Sequence, residues 1–208
     1  MEDAMGAMRE DMANGERTSR IFTLPNVLSL ARILLTPVFI WAMVHHRPWL
    51  AFGIFVLASA TDALDGFTAR HLRLKTNVGL WLDPAGDKIL LTAALVFLSF
   101  PRWSEPNALP LWLTVICIGR DVVIALGTLI YIWIRGMTHF KPSLFGKAST
   151  ILEVTVLLAV LLFNGLGLAP RSLGVLYVMM AALAGISGLH YFIVGIIRFF
   201  KTGKKAAS

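Results

Sequence analysis

Four aspartates within a 26-residue stretch are the side chains of this sequence whose type and spacing could do chemistry. Asp62 and Asp65 are three residues apart, and Asp83 and Asp87 are four apart, so in helices each pair shares one face. The basic segment 70–77 separates the pairs, and a helical hairpin would bring them together. Four converging carboxylates repel each other unless a cation lies between them, and ligation by oxygen alone favours Mg²⁺ or Mn²⁺ over zinc. The spacing therefore predicts a divalent-metal site.

Small residues and one arginine accompany the aspartates. Gly66, Ala69 and Gly79 each lie about one helical turn from an aspartate. Missing side chains beside a metal leave room for a bulky ligand and let the backbone approach it closely. The planar guanidinium of Arg70 is suited to phosphate. A metal, open space and a guanidinium together describe a pyrophosphate site.

Three other interpretations of the aspartates stay open at this point. The carboxylates could cap helices or pair with Arg70, Arg73 and Lys88, which is the ordinary role of a single acid but not of four in register. They could mark the path of a divalent-cation transporter, since carboxylates inside a membrane often line ion pathways. Against a transporter, the acids gather at one membrane face and Arg70 would repel the ion. They could also belong to a scaffold without catalytic activity.

Hydropathy predicts the elements that must hold these residues. The 208 residues are 57% hydrophobic and 15% charged, with a mean hydropathy of +0.73. This composition excludes disorder, and the single cysteine excludes a disulfide scaffold. Because a bilayer core takes about 20 apolar residues per helix, we predict an all-α integral membrane protein with six transmembrane helices. The predicted spans are 26–44, 48–69, 80–100, 110–134, 146–164 and 173–199.

The distribution of positive charge predicts the orientation. With the N-terminus in the cytoplasm, the cytoplasmic segments carry 13 lysines and arginines and the opposite face carries three, which satisfies the positive-inside rule. Both termini and the aspartates are then at the cytoplasmic face of a multi-pass protein, expected in a bacterial inner membrane. We expect 1–20 to be a tail or surface helix, 21–200 the six-helix domain and 201–208 a basic tail. The net charge of +7 is mostly explained by this face, so no nucleic-acid partner is expected.

The residues around the aspartates form one longer pattern. It reads Asp62-x-x-Asp65-Gly66-x-x-Ala69-Arg70-(x8)-Gly79-x-x-x-Asp83-x-x-x-Asp87. This pattern resembles the signature of the CDP-alcohol phosphatidyltransferase family at all eight defined positions. The segment 25–32 (PNVLSLAR) is similar to the entry of the first helix in the phosphatidylglycerophosphate synthase and cardiolipin synthase branch.

The resemblance implies a six-helix membrane enzyme, commonly a homodimer, that transfers a phosphatidyl group from CDP-diacylglycerol to an alcohol and releases CMP. It implies that Mg²⁺ or Mn²⁺ is bound by Asp62, Asp65, Asp83 and Asp87. It also implies that Asp87 is the catalytic base for the acceptor hydroxyl. The residues it implies for CDP binding are Asp62, Gly66, Ala69, Arg70, Thr76 and Gly79. Lipid tails would stay between the helices while the cytidine faces the cytoplasm.

Cations outside the motif predict the class of acceptor. The candidates for acceptor binding are Arg32, Lys88, Arg120, Lys141 and Lys147. A pocket lined by such residues favours an anionic, phosphate-bearing alcohol over neutral inositol or serine. Two alternatives stay open: Arg120 could pair with Asp121 or Glu153, and Lys147 could be an interfacial lysine that only reaches toward water.

The resemblance divides over the identity of that acceptor. Arg120-Asp121 and Gly146-Lys147-x-x-Thr150 resemble phosphatidylglycerophosphate synthases, whose acceptor is glycerol 3-phosphate. That branch usually has glutamate after the arginine and a second arginine about two turns later, where this chain has Leu126-Gly127-Thr128. Arg120-Asp121-Val122 and Lys141-Pro142-Ser143 resemble cardiolipin synthases, which use phosphatidylglycerol. We predict glycerol 3-phosphate as the acceptor, with phosphatidylglycerol as the alternative.

Overall fold

The computed structural model describes the backbone of residues 24–72, 79–135 and 143–203, and the side chains of 30–61, 88–129 and 143–195. These residues form helices and no strand, which confirms the predicted all-α class for the described parts. The six helices are α1 (Leu24–Val44), α2 (Pro48–Leu72), α3 (Gly79–Leu98), α4 (Leu111–Arg135), α5 (Leu144–Leu166) and α6 (Ser172–Gly203). Each coincides with a predicted span to within a few residues. Helix α6 reaches into the predicted tail 201–208, and the predicted segment 1–20 lies outside the described residues.

Three of the helices contain described stretches that are long and apolar enough to cross a membrane. These stretches are Leu111–Leu129, Leu144–Leu166 and Ser172–Gly195. The described parts of the other three helices supply shorter apolar stretches, which are Leu30–Val44, Pro48–Thr61 and Lys88–Leu98. Large apolar side chains such as Leu34, Val115 and Ile151 are exposed on the outside of the bundle. An exposed apolar surface of this kind is typical of helices that face lipid.

Helix α1 supports both helices that carry the aspartates. It packs against α2 and α3, whereas α6 packs against α4 and α5. The contact of α2 with α5 joins these two groups, and α3 also touches α4 and α5. All six helices contribute to one buried apolar core, represented by Phe39, Phe55, Leu95, Leu113, Leu157 and Met180. The packing therefore places α3 beside the two helices that carry Arg120 and Glu153.

A buried network of amide groups fastens the α3–α4 loop to the C-terminal end of α5. The backbone N–H and the side-chain Nδ2 of Asn107 both donate to Oδ1 of Asn164, each over 2.9 Å. In return, Nδ2 of Asn164 donates to Ser104 Oγ at 2.9 Å and to the Asn107 carbonyl at 3.0 Å. Nδ2 of Asn107 also donates to the Leu168 carbonyl over 2.6 Å. Both Nδ2 hydrogens of each asparagine and the Oδ1 of Asn164 are thus used within the network.

Two helices at this end of the molecule finish in the same way, with a residue in the left-handed region. Gly167 ends α5 with φ 66°, and its N–H donates to the Asn164 carbonyl over 3.2 Å. His46 follows α1 with φ 52°, and its N–H donates to the Met43 carbonyl over 3.2 Å. The next amide donates to the Ala42 carbonyl at 2.9 Å, which completes a Schellman motif. Glycine adopts this conformation at little cost, but histidine does not.

Candidate active site

The structure places the four predicted metal ligands on two helices that share a support. Asp62 and Asp65 belong to α2, and Asp83 and Asp87 belong to the first half of α3. Both helices pack against α1. The side chains of these aspartates lie outside the described residues. Among the side chains that are described, no three His, Cys, Asp or Glu residues gather in a way that could hold a metal ion, so the metal prediction stays with the aspartates.

Most of the residues predicted for CDP binding lie on the same two helices as the aspartates. Gly66, Ala69 and Arg70 belong to α2, and Gly79 is the first residue of α3. Their side chains, and the whole of Thr76, lie outside the described residues. The helix assignment agrees with the predicted arrangement of two helices on either side of the basic connection. Their role in nucleotide binding stays a prediction.

Lys88, the residue after Asp87 on α3, is tied to α4. Its Nζ lies 2.5 Å from Oδ2 of Asp121. The Lys88 side chain is 45% exposed and that of Asp121 only 14%. Because the acid is the more buried partner, this contact helps to neutralise a carboxylate that lies within an apolar bundle. The contact also fixes one cation beside the position of the predicted catalytic base.

Arg120 forms the buried centre of the same group. Its Nη2 donates to Oε2 of Glu153 on α5 over 2.7 Å, and its Nη1 lies 3.1 Å from Oδ1 of Asp121. The second contact has ion-pair distance but lacks the alignment of a hydrogen bond. The Arg120 side chain is 4% exposed and Glu153 is fully buried. The two partners considered for Arg120 from the sequence are therefore both present.

These contacts join three helices into one charged network, defined here as Lys88, Asp121, Arg120 and Glu153. Two cations and two carboxylates make its formal charge zero. Taking an ion out of water costs several kcal/mol, and close pairing offsets that cost only when the partners stay together. We therefore expect the network to be sensitive to the loss of any single member.

Several buried polar atoms in and near the network have no hydrogen-bond partner among the described residues. They are Arg120 Nε, Asp121 Oδ1, Glu153 Oε1 and Ser187 Oγ. Ser187 directly precedes Gly188 on α6, and a Cβ built on Gly188 would lie 3.5 Å from Arg120 Cγ. The aliphatic part of the Arg120 side chain thus packs against Gly188 of α6, where there is no side chain. Buried atoms that lack a partner are uncommon in proteins and often mark a functional position.

Two of the other predicted acceptor residues, Arg32 and Lys147, lie on α1 and α5. Arg32 is buried on α1, and its carbonyl accepts a 3.0 Å hydrogen bond from the Thr36 hydroxyl. Lys147 lies on α5 in an exposed position and forms no ion pair with a described residue. Lys141 lies outside the described residues. Of the five predicted cations, the described structure therefore joins Lys88 and Arg120.

The start of α5, which carries Lys147, is held by Ser143 and by Tyr191 of α6, and the sequence did not single out Tyr191 for the site. The Ser143 side chain caps the helix by accepting from the Gly146 N–H over 3.0 Å. The Ser143 N–H in turn donates to the Tyr191 hydroxyl of α6 over 2.8 Å. A Cβ on Gly146 would lie 2.9 Å from that hydroxyl oxygen, so glycine is needed for this close approach. A contact over 48 residues leaves no local signal in the sequence.

Comparison with known proteins agrees with the family suggested by the motif. The profile of the CDP-alcohol phosphatidyltransferase family matches residues 22–198. The chain is 32% identical to a CDP-diacylglycerol–glycerol-3-phosphate 3-phosphatidyltransferase of Bacillus subtilis, over 69% of this chain and 79% of that protein. It is 34% identical to a probable phosphatidylglycerophosphate synthase of Mycobacterium tuberculosis, over 83% of this chain and 81% of that protein.

Similarity also extends to the other branch. The chain is 32% identical to a CMP-forming cardiolipin synthase of Streptomyces coelicolor, over 73% of this chain and 70% of that protein. The identities to the two kinds of enzyme are nearly equal, so they do not separate the branches. The family profile covers most of the six-helix region described above. Together, the motif, the helical membrane fold and the matched relatives show that this chain belongs to the CDP-alcohol phosphatidyltransferase family.

Proposed function

We propose that the chain transfers the phosphatidyl group of CDP-diacylglycerol to glycerol 3-phosphate, which gives phosphatidylglycerophosphate and CMP. Family membership supports the reaction type, and the position of Lys88 carries the choice of an anionic acceptor. Lys88 follows Asp87 directly and is joined through Asp121 to Arg120. Two cations are thereby fixed near the helix position predicted for the base. An acceptor with a phosphate group can use both of them.

The donor set of the aspartates fits the metal that the family implies. Carboxylate oxygens from Asp62, Asp65, Asp83 and Asp87 are the ligands that Mg²⁺ and Mn²⁺ prefer. When bound there, the metal would neutralise the charge of the diphosphate. The residues proposed for the CDP moiety are Gly66, Ala69, Arg70, Thr76 and Gly79, together with Asp62. Small residues would leave room for the nucleotide, and Arg70 would donate to its phosphates.

Asp87 is proposed to accept the proton of the acceptor hydroxyl. The hydroxyl oxygen attacks the lipid-bearing phosphorus, and a new P–O bond forms while the P–O bond to CMP breaks. CMP leaves with the bonding electron pair, and the hydroxyl proton passes to the Asp87 carboxylate. Such a base must lie within hydrogen-bond reach of the hydroxyl it deprotonates. Arg120 and Lys88, with Arg32, Lys141 and Lys147, are proposed to hold the acceptor phosphate.

The same proposal includes the arrangement in the membrane. All six helices would cross the bilayer, with both termini and the active site at the cytoplasmic face, where water-soluble glycerol 3-phosphate and CMP can enter and leave. The excess of lysine and arginine on that side supports this orientation. A bacterial inner membrane and a homodimer are the proposed location and assembly. The three long apolar stretches support the membrane location itself.

An acceptor panel with the purified full chain tests the proposal. CDP-diacylglycerol and Mg²⁺ or Mn²⁺ would be supplied with glycerol 3-phosphate, phosphatidylglycerol or inositol phosphate, and CMP and lipid products would be measured. We expect CMP release with glycerol 3-phosphate, and phosphatidylglycerophosphate as the product. Cardiolipin formed from phosphatidylglycerol alone would favour the second candidate function, which the similarity to the Streptomyces enzyme supports. No CMP release with any acceptor would overturn the enzyme proposal.

The replacement Asp87→Asn tests the role of the base. It keeps the size of the side chain but removes the carboxylate that accepts the proton, so turnover is expected to fall by about 100-fold or more. Steady-state CMP release measures this effect, and a thermal unfolding curve checks that the variant is folded. Turnover at the wild-type rate would remove the proposed role of Asp87.

A further inference from the structure

Glu153 is a fully buried carboxylate for which the proposed reaction has no direct use. It lies on α5, whose buried side chains over the next two turns include Val156, Leu157 and Val160. An aliphatic residue would pack in such surroundings without the cost of burying a charge. Its contact within the described residues is the 2.7 Å hydrogen bond from Arg120 Nη2 to Oε2. The position therefore calls for an explanation beyond packing.

The contact fixes only one edge of the Arg120 guanidinium. Nη2 donates to Glu153, Nη1 lies beside Asp121, and Nε has no hydrogen-bond partner among the described residues. A free arginine side chain has many rotamers, and its planar group recognises phosphate only when it is correctly aimed. Glu153 removes this freedom at one edge of the guanidinium and leaves Nε without a hydrogen-bond partner among the described residues. The stem of the arginine passes over Gly188, where no side chain obstructs it.

The effect of Glu153 extends beyond Arg120, because Asp121 is shared. Its Oδ1 faces Arg120 at 3.1 Å, and its Oδ2 holds Lys88 at 2.5 Å. If the charge of Glu153 were removed, the buried Arg120 cation would depend on Asp121 alone. Asp121 would then be drawn toward Arg120 and would hold Lys88 less well. One carboxylate on α5 thus controls the orientation of cations on α4 and on α3.

We infer that Glu153 is a positioning residue for recognition of the acceptor phosphate. It holds the Arg120 guanidinium directly, and the Lys88 ammonium through Asp121, in the orientation that receives an anionic acceptor. This inference rests on the proposed function, because it presupposes that those two cations bind the acceptor. It predicts that a change at Glu153 alters the KM for the acceptor and leaves the KM for CDP-diacylglycerol unchanged.

A double-mutant cycle between Glu153→Gln and Arg120→Gln tests the inference in the full-length protein. Glu153→Gln is expected to raise the KM for glycerol 3-phosphate by about tenfold, because a neutral amide holds the guanidinium less firmly than a carboxylate does. The KM for CDP-diacylglycerol and kcat should stay within about twofold. In the double variant, the acceptor KM should equal that of Arg120→Gln alone, since Glu153 acts through Arg120. Independent, multiplying effects of the two replacements would overturn the inference.

An exchange of the two charges separates positioning from simple stabilisation. The variant with both Glu153→Arg and Arg120→Glu keeps a buried ion pair but moves the guanidinium from α4 to α5. We expect it to unfold at a lower temperature than the wild type, because a carboxylate at position 120 no longer pairs with Asp121, and to show an acceptor KM raised about tenfold or more. Recovery of the wild-type acceptor KM would mean that only the ion pair matters. This variant also serves if Glu153→Gln fails to fold.

A matched control and the wild type complete the design. Thr155→Ala alters an exposed residue of the same helix, whose hydroxyl bonds, among the described residues, to the Ile151 carbonyl of that helix, and it should leave all parameters unchanged. If the wild type releases CMP with no acceptor, the proposed function fails. If it is active but Glu153→Gln lowers kcat and affects both substrates equally, the inference alone fails. If phosphatidylglycerol is the acceptor, the same cycle is measured with that lipid.

Discussion

Helix α5 takes part in two buried polar clusters that differ in charge and in completeness. Near its C-terminal end, Asn164 shares with Asn107 and Ser104 a neutral network in which the Nδ2 groups of both asparagines and the Oδ1 of Asn164 are hydrogen-bonded. Eleven residues earlier, about 16 Å along the helix, Glu153 faces Arg120 in a charged network with unpartnered atoms. A neutral network whose amide donors are hydrogen-bonded stabilises the fold. The charged one is costly to bury and incompletely satisfied, which is typical of a site that binds something.

The two clusters also differ in what they connect. The amide network joins a loop to a helix end on the face opposite the aspartates, beside a cavity of about 220 Å³ lined by His46, Arg47 and Glu105 among others. The charged network joins α3, α4 and α5 and reaches the residue next to Asp87. The comparison therefore predicts that substitutions in the first cluster change stability alone. Those in the second should change both stability and acceptor binding.

The largest loss of stability is expected for Glu153→Leu. The replacement leaves the Arg120 guanidinium buried without its main partner, which costs about 3–5 kcal/mol in comparable cases. The midpoint of thermal unfolding in detergent, followed by circular dichroism, measures the loss. Adding Arg120→Met to this variant removes the unpaired charge and should restore most of the stability, but not the acceptor KM. A single variant as stable as the wild type would show that the charge is not in fact isolated from water.

A smaller loss is expected for Asn164→Ala. The replacement removes the bonds to Ser104 Oγ and to the Asn107 backbone and side chain. At about 1 kcal/mol for a typical bond, with water able to reach part of this loop, we expect a total of about 2–3 kcal/mol. Thermal unfolding measures it, with Thr155→Ala as the control on the same helix. The acceptor KM should stay within about twofold of the wild-type value, and a tenfold rise would contradict the division between the two clusters.

The helices could be predicted from the sequence because lipid requires long apolar stretches, and each predicted span corresponds to an observed helix. The partners of Arg120 could not be decided that way. Asp121 is its neighbour in sequence, but Glu153 is 33 residues away on another helix, and the packing of both helices against α6 brings them together. The bond from Ser143 to Tyr191 depends in the same manner on how α6 crosses α5. The ligand set of the metal stays a prediction from the motif.

A moderate effect is expected for Gly146→Ala, at the start of the helix that carries both clusters. The new Cβ would lie 2.9 Å from the Tyr191 hydroxyl oxygen and 3.3 Å from Ser143 Oγ. The hydroxyl is held by the Ser143 N–H, so it cannot move away without loss of that bond. We expect a destabilisation of about 1–2 kcal/mol, typical of overpacking. Thermal unfolding measures this value as well.

Gly53→Ala is the matched control for that replacement. An added Cβ at Gly53, inside α2, would have no atom within 4 Å. Because alanine favours a helix over glycine, this variant should be as stable as the wild type or slightly more stable. Removal of the hydroxyl by Tyr191→Phe should relieve the closest contact of Gly146→Ala. The combined variant should therefore lose less stability than the sum of the losses of the two single variants. Strict additivity would show that the hydroxyl is not the obstacle.

The smallest expected effect is a gain, and it concerns the two helix ends near the neutral network. His46 occupies at the end of α1 the left-handed position that Gly167 occupies at the end of α5. His46→Gly should stabilise the protein by about 0.5–1 kcal/mol, because glycine carries no Cβ penalty there. Gly167→Ala should destabilise it by a similar amount for the same reason. Thermal unfolding of both variants measures the pair, and the acceptor KM should not change in either. If His46→Gly instead lowered stability, the imidazole would be making a contact that stabilises the protein by more than the backbone strain costs. The side chain of His46 would then contribute to stability at this end of the bundle.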